Sequence, residues 1–529
     1  MLITTKANMI NWQIRYSKIL SNEPSLFDPK YSVLEVGPGD NGAAKFLNRD
    51  VQGIQPAFGV NLYPNLKPQI GTVDAMPYED QSFDFTICMD VLEHLSSETR
   101  EKAIKEIVRV TRRSAWIAFP FGVHSQLMES SLNDSFNRFN LKSPDWLLEH
   151  LENSLPKLNE ILAVLRDLPC NLEILVNEYM GEHFAGLMAD LFMPRYKEIF
   201  SLRVLKTGKM NPIVEDKFDF PYSILLKLSK YTQPDVPVAN STITRPKEPE
   251  RKLNLYPISH IFSDQYDSII PRALTPLYVG DAAKAARRGG LESDLLESEA
   301  RLDNARWCEL TGIYKVWKSA YKFSHVGFCH YRRLFNFSAY FELTGTPAEK
   351  CGFERSVNIR AEDLSKLGHT LSPGPNILGD TETIIVPPPA SLPTGIFEQY
   401  TIAHSANDYF KMLSIIFNDH PSYRGVLAKS VTDNFMYSNN MFILSIKLFD
   451  ELCEFWFDVL KKFEAAQPEP VASNEMQSRD IAFLSERVFD IWIKKKIAEG
   501  VKTSYVPIYN IQFEKVKTTE WSPTKFVAN

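Results

Sequence analysis

Short apolar segments alternate with amphipathic helical segments in both halves of the 529-residue chain, and this alternation constrains the fold most. In the first half, YSVLEVG, PAFGVNL, FDFTICMDV and SAWIAFP have the length and residue types of buried strands, and SETREKAIKEIVRVTR has the spacing of a helix. Strands that alternate with helices predict an α/β fold with a mainly parallel sheet. The same alternation resumes in the second half, and the length predicts more than one domain.

A proline-rich polar segment, TQPDVPVANSTITRPKEPERK at residues 232–252, has neither helical nor strand periodicity. Such a composition is typical of a linker between domains. We therefore predict one domain at residues 1–231 and a second, continuous domain at residues 253–529.

The composition argues against several classes of protein. A formal net charge of −6 disfavours binding to nucleic acid. The six cysteines form no C-x-x-C pair and no zinc-ligand spacing, so we expect reduced thiols. The first twenty residues lack the apolar stretch of a signal peptide, and no segment has the ~18 uncharged apolar residues of a membrane span. We expect a cytoplasmic protein.

A glycine-rich loop follows the first predicted strand. Gly37, Gly39 and Gly42 in VLEVGPGDNG satisfy G-x-G-x-x-G, which lets the backbone approach a ligand at the start of a helix. This pattern alone fits NAD-dependent enzymes, S-adenosylmethionine enzymes and ordinary strand-turn-helix corners. Glu35, two residues before the loop, favours S-adenosylmethionine, because a carboxylate there can pair with the amino group of the methionine moiety.

Two later motifs, GTVDAMPYEDQSFDF and MDVLEHL, follow the glycine loop in order. With E-x-G-x-G they resemble the class I S-adenosylmethionine-dependent methyltransferases, strongly over residues 31–121 and more loosely to residue 230. The resemblance implies a Rossmann-like sheet and S-adenosylmethionine as cofactor. It also implies roles for individual residues: Glu35, Gly37 and Gly39 at the methionine and ribose, Asp74 and Ala75 at the adenine, and Asp90 near the sulfonium.

Two residues of this half have open roles. The second strand of such enzymes normally ends in an acidic residue that binds the ribose hydroxyls, whereas AFGVNLYP offers Asn61, whose amide lacks charge-assisted strength. Reduced cofactor affinity is expected, and an inactive domain is the alternative. His94 is either a general base for an acceptor hydroxyl or a packing residue at the turn after the strand.

The second half carries five motifs: CELTGIYKVWK with VGFCHYRRLF, TIIVPPP, IFEQYTIAHSANDY, YSNNMFIL and AFLSERVFDIW. In this order they resemble a bacterial glycosyltransferase family long described as a domain of unknown function, over residues 253–495. Its characterised members resemble galactofuranosyltransferases of O-antigen and capsule synthesis. The resemblance implies a GT-A-like α/β domain with a nucleotide-sugar donor, such as a UDP-sugar.

The diphosphate of such a donor needs a positive partner, commonly a metal held by Asp-x-Asp. This half has no Asp-x-Asp at a strand end, but His330-Tyr331-Arg332-Arg333 follows the predicted buried strand Val326–Cys329. Because the arginine fork suits phosphate oxygens, we predict that one of the two arginines replaces the metal and that no metal is required. The alternative is that one arginine packs along the tyrosine and the other pairs with a carboxylate.

An inverting transfer also requires a base. The candidate bases are Asp433, Asp480 and Glu486. The candidate donor-binding residues besides the arginines are His330, His404, Asn440 and Arg487. A structural Glu486–Arg487 ion pair and a helix-terminal role for His404 are the alternatives.

Together these motifs predict a bifunctional enzyme of bacterial surface-polysaccharide synthesis. It would transfer a sugar, galactofuranose being one option, to a lipid-linked or growing glycan, and a methyl group to a glycan hydroxyl. The alternatives are a glycosyltransferase with a degenerate N-terminal binding module, a non-catalytic scaffold, and an NAD-dependent reductase. Peripheral contact with the inner membrane and the oligomeric state are left open.

Overall fold

The computed structural model describes residues 9–138, 140, 142–181, 183, 220–230, 251–260, 274–282, 302–319, 323–339, 356–364, 378, 382–468 and 477–512. The chain divides into two compact units. Unit 1 comprises Met1–Pro237 and Thr394–Asp433, and unit 2 comprises Val238–Pro393 and Asn434–Asn529. The predicted linker lies almost wholly outside the described residues.

Unit 1 is built on a sheet that has seven strands in its described part. The strands are β1 (Val33–Val36), β2 (Val51–Gln55), β3 (Leu66–Ile70), β4 (Phe83–Met89), β5 (Thr111–Pro120), β6 (Cys170–Tyr179) and β7 (Pro221–Lys230). Their order is β3-β2-β1-β4-β5-β7-β6, and all pairs are parallel except those of β7. This arrangement confirms the predicted α/β fold.

Helices cover this sheet because their apolar residues recur on one face. They are α1 (Met9–Asn22), α2 (Ala44–Leu47), α3 (Ser97–Val110), α4 (Gly122–Arg138), α5 (Asp145–Asn153) and α6 (Leu158–Leu165). In α3, Ile104, Ile107 and Val110 are buried, and the Ser96 hydroxyl caps the first turn by accepting from the Thr99 N–H.

One predicted strand, PAFGVNL, is wrong. The second strand is β2, which ends at Gln55, and residues 56–65 form a loop. Pro56 has no N–H to give to the ladder, so it ends the strand. In the loop, the Gly59 N–H donates to the Asp40 carboxylate at 3.0 Å instead of pairing with a strand.

Unit 2 has a mixed sheet with nine strands among the residues described. The first described elements of unit 2 are β8 (Arg251–Ser259), β9 (Leu277–Tyr278), α7 (Asn304–Trp307), α8 (Leu310–Lys318), β10 (Phe323–His330), β11 (Arg333–Phe335), β12 (Ser356–Arg360), β13 (Thr383–Val386) and β14 (Ala390–Ser391). Three helices that belong to unit 1 follow in sequence, namely α9 (Ile396–Thr401), α10 (Ala406–Asp419) and α11 (Arg424–Thr432). Unit 2 then continues with β15 (Phe435–Met436), β16 (Phe442–Ser445), α12 (Ile446–Ala466), α13 (Asp480–Ala498), β17 (Lys502–Tyr505) and β18 (Ile508–Gln512). Strand β10 pairs parallel to β8 and antiparallel to β11 and β16.

The buried strand predicted at Val326–Cys329 is confirmed as the centre of β10. The helical segment predicted at residues 305–318 forms α7 and α8, with a break at Cys308, whose φ is +45°. Its five predicted apolar positions are buried, namely Trp307, Leu310, Ile313, Tyr314 and Trp317.

The segment Thr394–Asp433, which we predicted to be part of a continuous second domain, packs within unit 1. Strand β6 is an edge strand of the unit 1 sheet, and α10 covers its free edge. Asn418 accepts from the Leu172 N–H at 2.7 Å and donates to the Leu172 carbonyl at 2.9 Å, and the Ser414 hydroxyl accepts from the Ile174 N–H.

A third contact continues this pattern, since the side-chain amide oxygen of Asn407 accepts from the Val176 N–H at 3.3 Å. Leu172, Ile174 and Val176 are alternate residues, whose N–H groups point out of the same edge of a strand. Residues 407, 414 and 418 lie along one face of a helix. The polar side chains of α10 therefore satisfy backbone groups that an uncovered edge strand would leave open.

Replacing Asn418 by alanine tests this edge pairing. We expect Asn418→Ala to lower the free energy of unfolding by about 1–3 kcal/mol, because buried backbone groups of Leu172 lose their partners. Chemical denaturation of the full chain measures the change. Lys429→Ala, at an exposed position of the same segment, should change it by less than about 0.5 kcal/mol. Equal effects of the two substitutions would contradict the pairing.

Candidate functional sites

The carboxyl ends of β1 and β4 form the first candidate site. The chain runs from β1 outward to β2 and β3 and then returns to β4 on the other side of β1. The order of strands reverses at this point, and open α/β sheets bind ligands in the crevice outside such a reversal. The glycine loop follows β1, and Asp90 follows β4.

The conformation of the loop requires its glycines. Gly37 and Gly42 have φ values of +67° and +54°, in the left-handed region that side chains disfavour. A Cβ atom at Gly37 would lie 2.5 Å from Val91 Cγ2, and one at Gly42 would lie 2.2 Å from Glu35 Oε2. The loop therefore packs closely over the end of β4.

Glu35 lies beneath this loop and is 1% exposed. Its carboxylate accepts from the Tyr16 hydroxyl and, at 2.6 Å, from the Ala43 N–H. Burial raises the pKa of Glu35 to about 7, although the hydrogen bonds from Tyr16 and Ala43 act to lower it. The structure thus gives Glu35 a role in holding the loop, and its predicted contact with the methionine amino group stays a prediction.

The raised pKa predicts how stability depends on pH. Between about pH 4.5 and 7 the unfolded carboxyl ionises while the folded one stays protonated, so the folded state loses relative stability as the pH rises. Compared with Glu35→Gln, the wild type should lose up to about 3 kcal/mol of unfolding free energy across this window. Denaturation series from pH 4.5 to 8 measure the difference. Parallel curves for the two proteins would contradict the buried protonated carboxyl.

Asn61 does not end a strand, so the basis for its predicted ribose contact was wrong. It is exposed in the loop between β2 and β3. The residue at the end of β2 is Gln55, which the sequence analysis missed. Its side chain accepts from the Gly39 N–H at 2.9 Å and donates to the Ala57 carbonyl at 2.7 Å. The end of β2 therefore carries a neutral amide, not a carboxylate.

The other predicted cofactor residues lie at the expected strand ends. Asp74 and Ala75 belong to a tight turn after β3, closed by a bridge between Thr72 and Ala75. Asp90 directly follows β4 with a φ of +51°, and its N–H donates to the Ala118 carbonyl at 2.9 Å. A residue other than glycine in this conformation is uncommon and is often functional.

His94 ends a short 3₁₀ turn, Leu92–His94, after Asp90. Its Nδ1 lies 2.7 Å from Glu149 Oε2 on α5, and its ring lies 4.9 Å from that of His150. Burial is the main cause that lowers the pKa of His94 below its ordinary value. A neutral imidazole oriented by a carboxylate is compatible with either predicted role.

The second candidate site surrounds the hairpin of β10 and β11 in unit 2. His330 pairs with Arg333 across the hairpin, so Tyr331 and Arg332 form its two-residue turn. Paired residues of antiparallel strands project from the same face of the sheet. His330 and Arg333 are therefore neighbours on one face, and Arg332 belongs to the turn.

The two arginines differ in their surroundings. Arg332 is exposed, and its guanidinium lies 5.2 Å from the centroid of the Tyr331 ring. Arg333 is partly buried, and burial lowers its pKa while the Glu486 carboxylate opposes this shift. Burial and the Arg333 charge lower the pKa of His330 well below 6.5, so His330 is neutral. Arg332 thus matches the packing alternative, and Arg333 is the arginine whose charge interacts with a carboxylate, that of Glu486.

A buried amide binds Glu309, one of the two carboxylates whose charges act on Arg333. Asn440 is 3% exposed, and its amide nitrogen donates to Glu309 Oε1 and to the Ser485 hydroxyl, both at 2.9 Å. Burial raises the pKa of Glu309, and the Arg333 charge acts in the opposite direction. Glu309 is a functional candidate that the sequence analysis missed. It directly precedes α8, and its partner Asn440 is 131 residues away along the chain.

Glu486 faces the strand entrance from α13. Its Oε1 accepts from the Asn439 N–H at 2.9 Å, and its Oε2 accepts from Arg487 Nη1 at 3.1 Å. Asn439 and Asn440 both have positive φ values, +73° and +49°, and stand just before β16. The predicted Glu486–Arg487 ion pair is therefore present, and the two asparagines lie at the predicted strand entrance.

Asp480 is held in an ion pair. Arg306 donates to both of its carboxylate oxygens, at 3.0 and 2.7 Å, and both side chains are buried. Its Oδ1 also accepts from the Ile481 N–H at 2.8 Å, so the carboxylate is already engaged by protein donors and is poorly placed to accept a proton from a substrate. His404 and Asp433 lie in the segment that belongs to unit 1. Asp433 follows α11, and His404 is buried beside Tyr400.

Comparisons with protein families agree with the two sheets. Residues 34–119 match the family model described as "Methyltransferase domain", and residues 258–497 match "Domain of unknown function (DUF4422)". The first match lies in the first half of the chain and the second in the second half. No curated protein matches the chain in sequence.

Solved structures resemble parts of the chain. A bifunctional glycosyltransferase, WbbM, has 22% identity and a TM-score of 0.40, with 52% of this chain and 48% of that chain covered. This chain thus spans about half the length of WbbM. The magnesium protoporphyrin IX methyltransferase ChlM of Synechocystis PCC 6803, with bound SAH, has 13% identity, coverages of 44% and 88%, and a TM-score of 0.27. A geranyl diphosphate methyltransferase in complex with SAM has 11% identity, coverages of 41% and 85%, and a TM-score of 0.27.

Two further expectations concern cysteines and membranes. The described cysteines are free thiols, and Cys88, Cys170, Cys329 and Cys453 are buried; Cys351 lies outside the described residues. In the described part of the chain, no helix is long and apolar enough to span a membrane.

Proposed function

We propose that the chain is a bifunctional transferase, in which unit 1 transfers a methyl group from S-adenosylmethionine and unit 2 transfers a sugar from a nucleotide-sugar donor. The observation that supports the first activity best is the tightly packed glycine loop at the strand-order reversal, within the stretch that matches the methyltransferase family model. The observation that supports the second is Arg333, which pairs with His330 across the hairpin and whose charge interacts with the Glu309 and Glu486 carboxylates.

The residues of unit 1 fit S-adenosylmethionine. The backbone of the glycine loop would receive the methionine and ribose, and the turn of Asp74 and Ala75 would receive the adenine. Gln55 would meet the ribose with an amide, which forms weaker hydrogen bonds than a carboxylate. When bound, the cofactor supplies an electrophilic methyl group on a positively charged sulfur. Asp90, at the end of β4, would lie beside that sulfur.

The acceptor that we propose for the methyl group is a glycan hydroxyl. Such a hydroxyl must lose its proton as the methyl group is transferred, and a neutral histidine can take the proton at neutral pH. His94 is the predicted base in this role, oriented by Glu149. The rival hypothesis, a degenerate binding module, rests on the missing acidic residue at the end of β2, where the chain carries Gln55.

In unit 2, Arg333 would bind the diphosphate of the donor and stabilise the charge that develops as the glycosidic bond breaks. Glu486 and Glu309 are the carboxylates of this site that could accept the proton of an acceptor hydroxyl. Glu309 has the raised pKa that suits a general base, and Glu486 is held by Asn439 and Arg487. An arginine in place of a metal is consistent with the absence of Asp-x-Asp at a strand end.

The two activities would act on one surface glycan, either lipid-linked or growing. Joining two sites in one chain raises the effective concentration of the second site for a product of the first. Galactofuranose is the sugar that the family resemblance favours. Synthesis of O-antigen or capsule on the cytoplasmic side of a bacterial inner membrane would bring the substrate to the enzyme.

Binding of the cofactor can be tested with Gly37→Ala. The added methyl group would meet Val91 at 2.5 Å in a backbone conformation that alanine disfavours, so we expect at least a tenfold loss of affinity. Calorimetry with S-adenosylmethionine and S-adenosylhomocysteine measures it. Gly425→Ala, an exposed position in α11, should bind as the wild type does. If neither ligand gives heat with the wild type, the proposed methyl transfer is wrong.

Donor binding can be tested with single arginine-to-lysine substitutions, which keep the charge but lose the fork. We expect Arg333→Lys to weaken binding of a UDP-sugar at least tenfold and Arg332→Lys to change it less than threefold. A panel of nucleotide sugars, assayed with and without a chelator, identifies the donor, and turnover should survive the chelator. Strict dependence on manganese would refute the arginine hypothesis, and unchanged affinity in both variants would return the hairpin to a packing role.

A further inference from the structure

A cluster of histidine and glutamate side chains lies beside the methyl-donor crevice of unit 1. One ligand atom from each of Glu93, His94 and His150 lies within 4.8 Å of the others. Glu93 and His94 come from the turn after β4, and His150 comes from α5. Glu93 and His150 are buried, and His94 is partly exposed. The cluster is therefore open on one side.

The orientation of both imidazoles is set by carboxylates outside this trio. His94 Nδ1 lies 2.7 Å from Glu149 Oε2, and His150 Nδ1 lies 3.0 Å from Glu129 Oε1. A carboxylate accepts hydrogen bonds, so in a neutral imidazole Nδ1 carries the proton and Nε2 keeps its lone pair. Histidines that bind metals have this arrangement almost always, with the second ring nitrogen donating to a carboxylate or carbonyl.

The spacing of the ligand atoms also suits a metal. His150 Nε2, the nitrogen with the lone pair, lies 4.0 Å from Glu93 Oε1. A tetrahedral ion with bonds of about 2.0–2.1 Å would hold its ligand atoms about 3.3 Å apart, so this pair needs to close by less than about 1 Å.

Glu129 supports the site from further away. It is 1% exposed, and its Oε1 also accepts from the Tyr222 hydroxyl at 2.7 Å. Two glutamates, Glu93 and Glu129, thus lie buried on either side of one imidazole. A cation bound between the histidines and Glu93 would offset this burial of acidic groups.

We propose that Glu93, His94 and His150 bind one divalent transition-metal ion of the zinc class. Two imidazole nitrogens and one carboxylate oxygen favour Zn²⁺, Co²⁺, Ni²⁺ or Fe²⁺ over Mg²⁺ and Ca²⁺, which prefer oxygen ligands. Three protein ligands leave a coordination position open, as in catalytic sites. In this role His94 is a ligand and not the general base.

The open coordination position would allow the ion to bind an acceptor hydroxyl. This role rests on the proposed methyl transfer, whereas the metal site itself does not. An acceptor hydroxyl bound there would have a lowered pKa. The proton would pass to solvent water at the open side of the cluster, and the ion would hold the alkoxide oxygen near the end of β4. That oxygen would form the bond to the methyl group as the bond from the methyl group to sulfur breaks and S-adenosylhomocysteine leaves. The substrate class that this favours is an alcohol such as a sugar.

Metal binding can be measured without any enzymatic assay. The full chain, freed of metal by a chelator and dialysed, is titrated with Co²⁺ and followed by visible absorption and by elemental analysis. We expect one Co²⁺ per chain with a spectrum of low coordination number, and displacement by Zn²⁺. A wild type that binds no Co²⁺ overturns the proposal.

Matched variants locate the ion. His150→Ala and His94→Gln should each abolish the spectrum, and the latter, at a partly exposed residue, guards against a folding defect in the former. Glu149→Gln removes only an orienting carboxylate and should weaken binding about 10- to 100-fold. His124→Gln, a histidine that stacks on Phe220 in the same unit, should bind as the wild type does. Equal binding by all four variants would place the ion elsewhere and overturn the proposal.

Calorimetry with S-adenosylhomocysteine separates the two hypotheses for unit 1. A chain that binds this ligand but no Co²⁺ keeps the proposed methyl transfer and loses the metal site, and His94 then returns to its role as predicted base. A chain that binds Co²⁺ at this cluster but not the ligand keeps the metal site and loses the methyl transfer.

Discussion

The free edge of strand β6 imposes the constraint on which the organisation of the chain depends. Its outward N–H groups must find partners, and α10 supplies them with Asn407, Ser414 and Asn418. Because α10 lies more than 150 residues after β7, the first 231 residues do not form a complete unit. The segment that completes it falls inside the stretch that matches the DUF4422 family. Unit 1 is therefore completed by a segment from the second half of the chain.

Local sequence patterns predicted the parts of the fold that local interactions determine. The apolar runs of β1, β4 and β5 predict these strands correctly, because a strand buried on both faces consists largely of consecutive apolar residues. Strand β2 escaped prediction because VQGIQ mixes polar residues and glycine into its five positions, whereas the following PAFGVNL is more apolar. One of the two glutamines in this strand, Gln55, stands at its end and accepts a hydrogen bond from the Gly39 N–H.

In the candidate sites too, the residues that belong to short local motifs could be predicted, and those with distant partners could not. Gly37, Asp90 and the paired His330 and Arg333 belong to short motifs whose spacing along the chain fixes their place in the fold. Glu309 and Asn440 meet only because α8 and β16 pack in one unit, and no pattern in the sequence links them across 131 residues. The same holds for His94 and Glu149, which are 55 residues apart. Residues whose partners are distant in sequence are the ones that the motifs could not assign.

The proposed binding of a diphosphate at Arg333 depends on the balance of charge around this residue. A guanidinium facing two ionised carboxylates would attract a diphosphate weakly, since the site would be negative overall. Burial raises the pKa of Glu309, and Glu486 already accepts from Asn439 and Arg487, so both acidic groups are partly neutralised. His330 is neutral beside them and adds no charge. In the proposed donor site, Arg333 would therefore keep the capacity to bind an anion.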